Sequence, residues 1–168
     1  MRVVALLLTV LLAGCMSPAQ DPLSDGVSAA EMERFASFAP APLTGHGKSL
    51  AELQGNVTLV FIWASWCSVC KADEPTLEEV HAEYAPRGFE IMAVSRELSR
   101  NDAQDYADQE GWAFPAYWDT DAPQQMGLRN YQPGYVLFDR DGAAIWTAEQ
   151  GLRGGGLDEL RSEIEQAL

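Results

Sequence analysis

The chain has 168 residues, 47% of them apolar, enough for one domain with a real hydrophobic core, which argues against disorder of the whole. Its 25 acidic side chains outnumber 11 basic ones, giving a formal charge of -14, and only Lys48 and Lys71 are lysines. A surface this acidic repels phosphate backbones, so no nucleic acid partner is expected.

At the N-terminus Arg2 precedes an apolar run from Val3 to Ala13, too short to span a bilayer comfortably but suited to an export signal. The run ends in "LAGC", Leu12 to Cys15, which resembles the lipobox of bacterial lipoproteins. The resemblance implies cleavage before Cys15 and a lipid on its sulfur; the plainer alternative is an ordinary signal or uncleaved anchor with Cys15 incidental. Loss of residues 1–14 removes Arg2 alone and leaves 10 basic against 25 acidic side chains, a formal -15. Attachment to an anionic membrane would then fall to the lipid, because the protein surface is repelled. Met16 stands after Cys15 where an Asp would favour inner-membrane retention, which leaves the outer membrane open as a destination.

Residues 16–37 mix Pro, Ser, Asp and Gly and read as a tether, with one short helix over Ala29 to Phe35. The stretch "FAPAPLTGHGKSLAELQGN" that follows predicts a short hairpin feeding the core. "VTLVFIW", Val57 to Trp63, is a continuous apolar and β-branched run, the pattern of a strand buried on both faces. Cys67 to Tyr84 has helical spacing at Val69, Leu77, Val80 and Tyr84, interrupted by Pro75. "FEIMAVS", Phe89 to Ser95, predicts a second buried strand, and "NDAQDYADQEG" a helix capped near Asn101 or Asp102 and closed by Gly111. Strands over Tyr135 to Asp139 and Ala143 to Ala148 are joined by the turn residues Arg140 to Gly142. Leu157, Leu160, Ile164 and Leu168 mark one face of a final helix. The order predicts a three-layer α/β domain with a mixed sheet.

Two of the three cysteines, Cys67 and Cys70, lie in "WCSVC" where a strand gives way to a helix. At a helix start, free N–H groups and the positive end of the dipole stabilise a thiolate, which makes Cys67 the natural attacking sulfur. Cys70 lies one turn deeper on the same face, within disulfide reach, and can resolve a mixed disulfide by attacking Cys67. A zinc site would need His46 and His81 to converge on the pair; a copper-binding chaperone without turnover is a further alternative.

The segment "VTLVFIWASWCSVCKADEPTL", with Pro75 five residues after Cys70, resembles the thioredoxin superfamily and is most similar to the membrane-tethered TlpA/ResA-type thiol-disulfide oxidoreductases. The likeness extends over residues 38–168, since "APLTGHGKSLAELQGN" resembles that family's N-terminal β-hairpin and "GWAFPAYWD" its "FP" segment. It implies a thioredoxin-like fold with a central mixed sheet flanked by helices. It also implies a redox-active Cys67–Cys70 disulfide with no other cofactor and no metal. The family places a cis-proline opposite the pair; here Pro133, six residues before Asp139, holds that place, and Gln132 would offer main-chain groups to a docking strand. Trp66, Tyr131 and Tyr135 are expected to rim the site, and Trp63, Trp112, Trp118 and Trp146 to pack.

The chain also departs from the family. Ser68-Val69 lacks the proline that many members carry between the cysteines, and Gly134-Tyr135 replaces the usual pair of small hydroxyl residues. Phe61 stands where thioredoxin has a buried Asp, so proton transfer to Cys70 needs water or another acid. Glu97 is the candidate; its plainer reading is a solvated loop carboxylate. Asp73, Glu74, Glu78 and Glu79, against Lys71 alone, oppose the helix dipole and tilt the pair toward a reductant, unless they are simply a solvated helix face. The expectation is a periplasm-facing lipoprotein: a signal over 1–14, a lipidated tether over 15–37 and a thioredoxin-like domain over 38–168. It would reduce disulfides of exported proteins, apocytochrome c maturation being one implied use, and would be re-reduced by a membrane thiol-electron donor. A thiol oxidant of the same fold is the main rival.

Overall fold

Every residue of β2, Val57–Trp63, is buried, as its unbroken apolar run predicts for a central strand. The computed structural model describes residues 33, 35–129 and 133–168. After β1 (Ala41–Pro42) and β2 come α1 (Ser68–Tyr84), β3 (Phe89–Ser95), α2 (Arg100–Glu110) and β4 (Ala116–Trp118). They are followed by α3 (Ala122–Gln125), β5 (Gly134–Phe138), β6 (Ala144–Ala148) and α4 (Gly156–Ala167). The strands form one sheet in the order β1-β4-β3-β2-β5-β6. β2 and β3 pair in parallel, as do β3 and β4, while β5 runs antiparallel to both β2 and β6.

Alternation along β2 divides the core in two, because successive side chains point to opposite faces. Val57, Leu59, Phe61 and Trp63 pack with Leu77, Val80 and Tyr84 of α1, Tyr106 of α2 and Leu160 and Ile164 of α4. Val60 and Ile62 face Phe38, Leu50, Leu53, Met126 and Leu128 on the other side. Phe35, inside the stretch read as tether, belongs to that second cluster and meets Phe138 edge-on, with ring centroids 5.0 Å apart.

Three local expectations are corrected. The N-terminal β-hairpin is not formed among the described residues: Ala41 and Pro42 pair antiparallel with Trp118 and Tyr117 at the sheet edge. Prolines at 40 and 42 cannot donate to a hairpin ladder, and the edge tolerates them. α1 runs through Pro75 without interruption. Ser99, not Asn101 or Asp102, caps α2, its hydroxyl accepting from the Asp102 N–H at 3.3 Å. β4 and α3, with three and four residues, are too short for a periodic signal. The turn between β5 and β6 forms as predicted, with Asp139 Oδ1 accepting from the N–H groups of Asp141 and Ala143.

Candidate active site

Trp63 of β2 lies opposite Ser95 of β3, so the segments that follow these parallel strands leave the sheet at the same end. The first turns through Ala64 to Trp66 and places Cys67 at the N-cap of α1, with extended backbone at φ -82°, ψ 102°. Cys67 Sγ accepts from the Cys70 N–H at 3.1 Å, the position where a cap residue satisfies an otherwise free donor of the first turn. The two cysteines form a disulfide, their Cα atoms 5.3 Å apart. Cys67 keeps 6% of its surface exposed and Cys70 none. An approaching thiol or disulfide therefore meets Cys67 first.

Below the pair the helix carries two internal carboxyl groups. Asp73 Oδ2 accepts from the Tyr135 hydroxyl at 2.8 Å and from the Leu152 N–H at 3.0 Å. Both oxygens of Glu74 accept from the Tyr106 hydroxyl at 3.0 Å. Burial pushes the Glu74 carboxyl up to about 7, raised further by Glu110 and opposed by the Tyr106 bond and by Lys71. Tyr106 and Tyr135 are driven well above the ordinary phenol range, first by burial and then by the carboxylates they face. The plainer alternative, a solvated acidic face, does not hold for the whole set: Asp73 and Glu74 are buried, and Glu79 is exposed. Glu78 is half-buried and accepts from the Ala113 N–H at 3.0 Å. At neutral pH roughly half the Glu74 groups are uncharged, so less negative charge stands behind Cys70 than the sequence count implies.

Glu97 is buried and is no solvated loop residue. Its Oε1 accepts from both the N–H of Ser65, at 2.7 Å, and the Ser65 hydroxyl, at 2.5 Å. Its carbonyl accepts from Trp118 Nε1 at 2.8 Å, and the Arg96 N–H donates to the Trp63 carbonyl at 3.0 Å. These bonds tie the segment after β3 to the one that carries Cys67.

The other expected residues divide. Trp66 stands out at the site, 63% exposed. Pro133 is buried at the entrance to β5; Gln132, Tyr131 and Cys15 lie outside the described residues. Tyr135 does not rim the site: it is fully buried, stacked on Phe61 with centroids 5.3 Å apart. A β5 residue paired beside Phe61 of β2 faces the core, and its hydroxyl finds a partner there in Asp73. Trp63 is buried, and Trp112, Trp118 and Trp146 pack against the same cluster. His81 packs edge-on to Phe114, and among the described residues no group of three metal-ligating side chains assembles. Asp73 was missed as a partner of Tyr135, although its spacing of three from Cys70 and four from Leu77 marks it as facing inward.

Fold and site together define a thioredoxin-like protein whose chemistry is thiol-disulfide exchange. The chain belongs to the AhpC/TSA family, whose model matches residues 32–145, and within it to the thiol-disulfide oxidoreductases. ResA of Halalkalibacterium halodurans, a thiol-disulfide oxidoreductase, is 30% identical over 135 residues, 79% of this chain and 76% of that one. ResA of Oceanobacillus iheyensis is 35% identical over 66 residues, 39% of this chain and 34% of that one. The chain thus spans from a third to three quarters of the length of these two relatives. A crystal structure from Chlorobium tepidum, assigned as the thiol:disulfide interchange protein DsbE, superposes with a TM-score of 0.70 at 27% identity, covering 77% of this chain and 92% of that one.

Proposed function

We propose that the chain is a periplasm-facing reductant of disulfides in exported proteins, held to a membrane by a lipid on Cys15 and recharged by a membrane thiol-electron donor. Apocytochrome c is one such substrate. The observation that carries the reading is the asymmetry of the pair: Cys67, at a helix start, keeps the only solvent contact of the two, and Cys70 is sealed one turn below.

In the reduced state the Cys67 thiolate attacks one sulfur of the substrate disulfide, forming a mixed disulfide and expelling the other substrate sulfur as a thiolate that takes a proton. Cys70 then loses its proton and attacks Cys67 Sγ, which releases the second substrate thiolate and closes the Cys67–Cys70 disulfide. Two electrons leave the protein in this cycle and two substrate thiols are formed. The proton that Cys70 gives up has two acceptors one turn away on its own helix face, Asp73 and Glu74; a carboxyl titrating near neutrality suits transfer in either direction. Glu97, held at Ser65, is the third acid near the site. Pro133, with Gln132 before it, shapes the surface on which the substrate strand docks.

Equilibration of the purified chain with glutathione at graded ratios tests the direction. A reductant of this kind is expected nearer the thioredoxin value of about -270 mV, whereas a value around -120 mV would make it an oxidant. The same titration, repeated with Cu(I), decides against catalysis if the thiols bind copper tightly and fail to reduce insulin.

A further inference from the structure

The segments tied together by Glu97 enclose a cavity of about 310 Å³ lined by Trp66, Arg96, Glu97, Leu98, Ser99 and Asp102. Its lips are Trp66, 63% exposed, and Leu98, 92% exposed, the two most exposed large apolar side chains among the described residues. Two such side chains facing one hollow mark a surface that is covered in use, since apolar area in water is unfavourable in proportion to its extent. Net charge does not define the hollow. Arg96 and Asp102 carry opposite signs, and the Glu97 carboxylate accepts from the Ser65 N–H and hydroxyl.

We propose that this groove is the subsite that selects the substrate: it takes one apolar side chain next to the cysteine under attack, and Glu97 is the positioning residue that keeps its walls together. The inference rests on the exchange reading above and names what that reading leaves open. The occupant follows from the geometry. A polypeptide joined to Cys67 Sγ lies against Trp66, the neighbouring residue, and each further residue extends it by at most about 3.6 Å, so its nearest side chains reach the groove. The volume has room for a leucine or phenylalanine residue with its backbone, and not for a folded element.

The test uses peptides that carry one cysteine as a mixed disulfide with glutathione, with leucine or serine placed one or two residues to either side. The reduced, purified chain is expected to turn over one leucine peptide about five- to tenfold better in kcat/KM than its serine counterpart, with the gain in KM. Leu98→Ser should cut that preference to about twofold, and Ile145→Ser, on the far edge of the sheet, should preserve it. Glu97→Ala should raise KM for the leucine peptide more than for its serine counterpart, and Glu97→Gln, which keeps an accepting oxygen, should restore most of that difference. Equal turnover of all peptides, or a preference that survives Leu98→Ser, overturns the groove and leaves the exchange activity standing. No exchange with any peptide overturns both.

Discussion

The Tyr135 hydroxyl, on β5, donates to Asp73 Oδ2, on α1, over 2.8 Å in the interior of the protein. The same oxygen receives the Leu152 N–H at 3.0 Å, so three separated segments meet on one carboxylate behind the cysteine pair. Tyr135→Phe removes one donor from a buried charged acceptor and should lower unfolding free energy by about 2 kcal/mol. Asp73→Ala strands both donors and should cost more. Urea denaturation of the oxidised protein measures both.

Glu74 gives a pH signature. Its folded value of about 7 exceeds the ordinary 4.5, so between these values the folded state binds more protons than the unfolded state. Stability should therefore fall as pH rises from about 4.5 to 7, by up to about 3 kcal/mol, and level off above. Glu74→Gln should abolish this slope in denaturation curves compared at pH 5 and pH 8.

The exposures of the two sulfurs predict an order of modification. After reduction, iodoacetamide should label Cys67 several-fold faster than Cys70, as read by peptide mass spectrometry. Cys70→Ser should accumulate the mixed disulfide with substrate, and Cys67→Ser should abolish it.

Gly151 sits where a side chain has no room. A Cβ there would lie 2.7 Å from Val69 Cγ1 and 2.9 Å from Asp73 Oδ2, on a backbone with φ +87°. Gly151→Ala should destabilise by about 2 kcal/mol or more, and should add less than its full cost in a Tyr135→Phe background because both disturb Asp73.

What the sequence made legible follows from how local each signal is. The apolar run of β2, the cysteines at its end and the turn at Asp139 are set by neighbours in the chain, and all three form as read. Tyr135 was misplaced because its environment is set by partners 74 and 62 residues away, Phe61 and Asp73, which no window along the chain contains. Residue type groups Asp73 and Glu74 with Glu78 and Glu79 as one set of helix charges, although Cys70, Leu77, Val80 and Tyr84 draw a helical stripe that includes the first two. Periodicity carried the right answer there, and composition masked it. Glu97 became informative only when β3 was set in register with β2, bringing it to Ser65.

Phe35 packs on Phe138, whose register partner on β2 is Thr58, near the start of that strand, whereas Cys67 follows its end. Five residues of strand, about 17 Å, separate the two levels. The polypeptide therefore enters the domain at the pole opposite its disulfide. With the lipid proposed on Cys15, that pole would face the membrane and the redox pair would turn outward to whatever diffuses past.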